Sequence, residues 1–431
     1  MRGEGTTTTM SADLQGNLPA LVDNCIGNQS QAKIQLTLTR GEAAYFIWRH
    51  AVLSEAKRSE IMRLGTVTSL LQLLDKGNKE GRYAATGCLQ YLVMQEDFMQ
   101  LVCGAATGAK NIANFARVLV ESHDRPKVCA AACLYSIACK PEYVTKLVPV
   151  VPQLIAATMT AEPKWAGVEH ARTYAAGCLS NLAWIDTLGE SMSYRERDTT
   201  YFKRELIAHG AISAMVKLMH DGLPEAQAHA VRTLRSLLLL EEAVELVMQE
   251  RGLVQELVRV LIEGTDEGRS NAAGCVMSLC TEEAHTRTFT EAGAIQPLVA
   301  MLAPKIAEPP AGKKPKKKKK APAMPPALAE GIVRASGALW HLSFDDRNKT
   351  AIADMECIPV LVKLIEMKGK KWKINMDLYR HVSGLLYNLS LESSNKHTMR
   401  ESKTPAYLSD PLHERWLTEP LRRPVTAPAV V

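Results

Sequence analysis

Apolar residues along this chain fall three and four positions apart, the spacing that lines one face of a helix, and they do so in copies. One string returns eight times. Aligned on the position that most often holds glycine, the copies read AAYFIWRHA (Phe46 at that position), AATGCLQYL (Gly87), CAAACLYSI (Ala132) and YAAGCLSNL (Gly177). The later four are HAVRTLRSL (Arg232), NAAGCVMSL (Gly274), RASGALWHL (Gly337) and HVSGLLYNL (Gly384). Successive spacings are 41, 45, 45, 55, 42, 63 and 47 residues. Two of the intervals carry insertions, so the underlying period is about 42–45 residues, in the range of three-helix repeats.

Each string predicts a long third helix. A polar turn and a short first helix follow it, then a bend, then an amphipathic second helix such as ISAMVKLM, LVQELVRVLI or IPVLVKLI. Gly210, Gly252 and Gly293 stand at the bend, where glycine relieves backbone crowding. Pro297 and Pro359 fall in the first turn of their second helices, where a missing N–H costs nothing. The Leu two residues past the glycine position, and the apolar residue five past it, are predicted to face inward. A unit of this size cannot bury that face alone, so the copies must stack.

These strings resemble the armadillo repeat family, over roughly residues 35–400, and RASGALWHLSFDDRNKTAIADMECIPVLVKLIE (334–366) is the fullest copy. The resemblance implies an all-α fold, a right-handed superhelical solenoid of about eight three-helix repeats whose third helices line a concave groove for extended peptides. Nuclear-import adaptors of the importin-α type carry a Trp at the glycine position and an Asn four residues later. Here no Trp stands at the first position and only Asn181 and Asn388 match the second, which points to a non-importin type.

The organisation expected is a flexible segment over 1–30, repeats over 31–303, a disordered insertion over 304–327, further repeats over 328–402 and a tail over 403–431. The insertion, PKIAEPPAGKKPKKKKKAPAMPPA, is too rich in Pro and Lys to pack. It also governs the charge. The chain of 431 residues has a net charge of +6, and setting aside Lys313, Lys314, Lys316, Lys317, Lys318, Lys319 and Lys320 leaves −1. The basic character therefore belongs to one segment, not to a nucleic-acid surface spread over the fold. That segment has three open readings: a nuclear-import signal, a clamp on an acidic partner or nucleic acid, or a solvated linker. A further polar stretch, ESMSYRERDTTYFKR (190–204), is expected to form a surface loop.

Composition adds little else. Hydrophobic residues make up 46% and aromatics only 5%, which favours close-packed helices. Cys88, Cys133, Cys178 and Cys275 directly follow the glycine position, as small packing residues would. Reduced thiols suit an intracellular protein of cytoplasm, cytoskeleton, cilium or nucleus, and no stretch reads as a secretory leader or a membrane span. No phosphate-cradling loop, metal motif or nucleophile–base arrangement stands out, so neither enzyme activity nor a cofactor or metal is expected.

Candidate binding residues follow from helix geometry, since the glycine position and the position four later share a face. On or beside that face stand Tyr91, Asn181, Arg232, Trp340, His341 and Asn388. Five residues before the glycine position come Arg82, Lys127, Arg172 and Arg269, cations that oppose the dipole at a helix start. Either an acidic, extended partner segment or neighbouring carboxylates such as Glu80 and Glu267 would offset that cost. The reading reached is a non-catalytic scaffold for protein partners. Its alternatives are a nuclear transport or chromatin-linked adaptor using the Lys-rich loop, and a structural subunit of a cytoskeletal or ciliary assembly.

Overall fold

The computed structural model describes residues 18–26, 39–95, 97–104, 106–160, 166–184, 199–303, 324–366 and 376–405. Among them every element is a helix and none a strand. The chain divides into two compact units, 1–209 and 210–431.

In the first unit the third helices are Arg40–Leu53, Lys79–Leu92, Asp124–Ala138 and Ala166–Ala183, each packed on the one before. The second helices Leu18–Ile26, Thr66–Lys76, Gly108–Glu121 and Val151–Met159 form a second row, each packed on its own third helix and on the neighbouring second helix. In the second unit the third helices are Pro224–Leu237, Asp266–Leu279, Pro326–Leu342 and Met376–Ser390. Their second helices are Ala211–Asp221, Leu253–Glu263, Ile295–Leu302 and Cys357–Glu366. All eight predicted strings thus lie on third helices.

Local chemistry sets the helix boundaries. Asn78 caps Lys79–Leu92 by accepting from the Gly81 N–H at 2.9 Å, and Thr265 caps Asp266–Leu279 by accepting from the Gly268 N–H at 3.1 Å. In the second unit the second helices are entered through a left-handed residue: φ is +83° at Gly210, +82° at Gly252 and +83° at Gly293, as the bend required. In the last such turn Glu356 takes that conformation, at φ +55°. The core is the inward face of the third helices. Leu89, Leu134, Leu179, Leu234, Val276, Leu339 and Leu386, two past the glycine position, are fully buried, as are Leu92, Ile137, Leu182, Leu237, Leu279, Leu342 and Leu389 three further on. Each such side chain contributes about 1.5–3 kcal/mol relative to exposure.

Three boundaries differ from the sequence reading. Within 1–30, residues Leu18–Ile26 form a helix with Leu18, Leu21, Val22 and Cys25 buried against Arg40–Leu53 and Thr66–Lys76. It supplies the second helix of the first copy, which the short apolar run LPALVDNCI was too brief to announce. In 190–204 the helix Thr199–Ala208 has already begun. The 304–327 insertion ends earlier than expected, because Pro326 opens the third helix Pro326–Leu342. The Lys-rich stretch from Lys313 to Lys320 and residues 406–431 of the tail lie outside the described residues.

Candidate functional site

The cations near the starts of the third helices have a structural task. Arg82 donates from Nη1 to the Gly77 carbonyl at 3.0 Å, and Arg172 from Nε to the Thr158 carbonyl at 2.9 Å. Arg40 and Gln227 do the same to Cys25 (2.8 Å) and Gly222 (2.9 Å). In every case the acceptor sits at the end of the preceding second helix, where carbonyls lack helical partners. Carboxylates complete the arrangement: Arg172 holds Glu169 at 3.1 Å, Arg269 holds Asp266, and Arg82 approaches Glu121 at 3.7 Å. The pairing alternative was therefore right in kind, with Glu169, Asp266 and Glu121 in place of Glu80 and Glu267. Arg172 and Lys127 are each only 3% exposed. Arg269 stays half-exposed and, with Asp266, borders a cavity of 560 Å³ walled by Met301, Leu302, Leu328 and Val360.

The glycine position shows why the string repeats. A side chain from one third helix lies directly across the glycine of the next. A Cβ on Gly177 would stand 2.4 Å from the Tyr135 ring, one on Gly274 would stand 2.6 Å from Arg235, and one on Gly384 would stand 2.4 Å from Trp340. Each covering residue is three past the glycine position of its own copy. In the first copy Trp48, two past that position, covers Gly87 at 2.6 Å. Polar residues four past the glycine position reach the other way. His341 Nδ1 pairs with the Met277 carbonyl at 2.7 Å, Asn388 Nδ2 donates to Ser343 Oγ at 2.9 Å, and Asn181 Nδ2 approaches Cys139 Sγ at 3.7 Å.

This divides the predicted row. Trp340 (2% exposed), His341 (5%) and Asn388 (5%) are interior residues joining helix to helix, because the close approach permitted by glycine seals that face. Burial pushes the His341 pKa down to about 4, against the opposing pull of the Met277 carbonyl. His381, whose ring also covers Gly337, is lowered by the same cause. Tyr91, Asn181 and Arg232 remain half-exposed.

Three groupings were not read from the sequence, because each joins residues from different copies. In the second unit Arg235 Nε (3.0 Å) and Arg334 Nη1 (3.2 Å) both donate to Asn271 Oδ1, while Arg334 also bonds Ser270 Oγ at 2.8 Å and pairs with Glu330. Burial, with Arg334 beside it, brings Arg235 down to about 10. In the first unit the Arg125 guanidinium lies 4.9 Å from the centre of the Trp48 ring, and its Nη2 is 3.5 Å from Tyr91 Oη. In the second unit Arg380 stands 6.0 Å over Trp340. The cysteines of the repeat are buried and their thiols pushed up by burial, which suits packing. Among the described residues no group of three or more His, Cys, Asp or Glu is placed to hold a metal ion.

Solved structures supply the comparison. One engineered protein superposes with a TM-score of 0.61 over 90% of this chain and 82% of its own, at 18% identity. The fold is an armadillo-like helical repeat. That description also rests on a chain solved in work on a conserved phosphorylation switch controlling the interaction between cadherin and beta-catenin. Its TM-score is 0.64 over 88% of this chain and 62% of its own, at 14% identity. At such identities the armadillo-like repeat describes shape alone. No family model matches the sequence, and no curated protein matches it either. Among the described residues, no helix of the repeat is long and apolar enough to cross a membrane.

Proposed function

We propose that this protein is a non-catalytic interaction scaffold that holds an extended segment of a protein partner along its third helices. The observation that carries this reading is the set of half-exposed residues His50, Tyr91, Ser136 and Asn181, one from each third helix of the first unit at the same helical position. Packed helices lie about 8–10 Å apart, and an extended chain advances about 3.3 Å per residue. A stretched partner therefore meets a new third helix about every three residues, and each helix offers it one polar or aromatic group. Tyr91 and Asn181 supply groups able to bond a partner backbone.

The test is selection of ligands from a random peptide library on the purified full chain. Peptides that bind are expected to lose affinity with Tyr91→Ala and Asn181→Ala, and to be indifferent to Arg287→Ala on a first helix. Failure to recover any peptide, or recovery only of peptides sensitive to the first-helix variant, refutes the scaffold reading.

A further inference from the structure

The third-helix arginines of the described residues are neutralised in different ways. Arg82, Arg172, Arg269 and Arg334 each approach a carboxylate within 4 Å. Arg125 and Arg380 are exposed cations on the same class of helix, and neither has a carboxylate within that distance among the described residues. Both are instead laid on a tryptophan, at 4.9 Å over Trp48 and 6.0 Å over Trp340. Each of those tryptophans is itself pressed across the glycine of the next third helix, Gly87 or Gly384. The same construction therefore occurs once in each unit: glycine, then indole, then guanidinium.

The first of these is the more complete. It draws Trp48, Tyr91 and Arg125 from three successive third helices, with Tyr45 edge-on to the indole at 6.1 Å. The Trp48 Nε1–H is buried without a hydrogen-bond partner among the described residues, and the ring is held by stacking and by the glycine contact. Stacking orders the guanidinium before any ligand arrives, which removes part of the entropy lost on binding. It occupies the flat face and leaves the N–H edge for a planar anion, whose two oxygens match the fork. The Tyr91 hydroxyl, beside Nη2, can donate to the same oxygen.

We propose that Arg125, held by Trp48 and flanked by Tyr91, docks the side-chain carboxylate of a Glu or Asp in an extended partner segment, and that Arg380 on Trp340 does the same in the second unit. This rests on the scaffold reading and adds the chemistry of the partner. The step of about three residues from one third helix to the next sets the spacing of the probe: a fluorescein-labelled peptide of four Glu-Gly-Ser triplets, which brings an acid to the arginine in any register, compared with its Gln-Gly-Ser counterpart.

Fluorescence anisotropy on the full chain at low salt is expected to show the Glu peptide binding at least ten-fold more tightly than the Gln peptide. Arg125→Gln and Arg380→Gln should each weaken it several-fold. Arg125→Lys should recover only part of the loss, because a lysine keeps the charge but neither the fork nor the stack. Arg287→Gln, on an exposed first-helix residue paired with Glu291, should leave binding unchanged. Circular dichroism checks that the exposed-site variants stay folded. Equal affinity for the two peptides, full rescue by Lys, or an equal loss from Arg287→Gln overturns the proposal. So does a phosphoserine peptide that binds where the Glu peptide does not. Library-selected peptides that bind the third helices but are neutral and insensitive to Arg125 would refute the carboxylate docking and leave the scaffold standing.

Discussion

Replacing Gly384 with alanine tests the stacking of third helices directly. In an ordinary exposed helix this change stabilises by about 1 kcal/mol, since glycine is the poorer helix former. Here the added Cβ would lie 2.4 Å from Trp340 Cε2 and 2.5 Å from Nε1, where carbon atoms normally rest about 3.5–4.0 Å apart. Trp340 is 2% exposed and wedged among His341, Phe344 and His381 at ring distances of 5.8, 6.2 and 5.9 Å. It cannot swing aside, so the two third helices must separate. Overpacking of this kind costs about 1–3 kcal/mol, occasionally more, which outweighs the propensity gain and makes the net effect destabilising by up to about 2 kcal/mol.

Gly331 supplies the internal control. It lies on Pro326–Leu342, and a Cβ there would meet the flexible end of Met301 at 3.2 Å and Ser270 at ordinary contact distance, 3.7 Å. Gly331→Ala is therefore expected to be neutral or stabilising by up to about 1 kcal/mol. Urea denaturation followed by circular dichroism measures both. A double-mutant cycle closes the argument: with Trp340→Ala in place the clash is gone, and Gly384→Ala should turn stabilising, a coupling of about 1–3 kcal/mol. If both glycine variants move the midpoint alike, or the cycle shows no coupling, the indole-over-glycine account is wrong.

Other consequences are open to measurement. His341 is neutral in the fold with its pKa pushed down to about 4, against about 6.5 when unfolded. Its contribution is complete above pH 6.5 and is lost as pH falls toward 4, by about 3 kcal/mol in all; His341→Gln should flatten that slope in urea midpoints taken between pH 7.5 and 4.5. Glu356 sits at φ +55° where other copies use glycine, so Glu356→Gly should raise the midpoint by an amount of order 1 kcal/mol, and a fall would contradict the strain. Arg172→Met removes the group that serves both the Thr158 carbonyl and Glu169 and should cost about 1–3 kcal/mol in thermal or urea unfolding. Of the ten cysteines only Cys139 is exposed, so a thiol reagent should label one site quickly in the native chain and ten after denaturation.

The candidate site was legible only where it depended on one copy at a time. Tyr91 and Asn181 could be placed on an accessible face by counting along a single helix. His341 and Asn388 satisfied the same count, yet both are buried, because their exposure depends on how closely the preceding helix comes. The run of cations at Arg82, Lys127 and Arg172 looked like a binding stripe. The carbonyls that account for Arg82 and Arg172 belong to other helices and are invisible to spacing.

Periodicity alone determined the helices, their order within each copy, the left-handed glycine bends and the inward leucines, since all of these are properties of a few adjacent residues and the face they must hide. The tertiary structure decided which polar side chains remain open to solvent, and that Arg125 lies on Trp48 while Arg380 lies on Trp340. Those contacts join residues as much as 77 positions apart in the sequence. They form only when the glycine of one copy lets the next helix close to within reach of a ring.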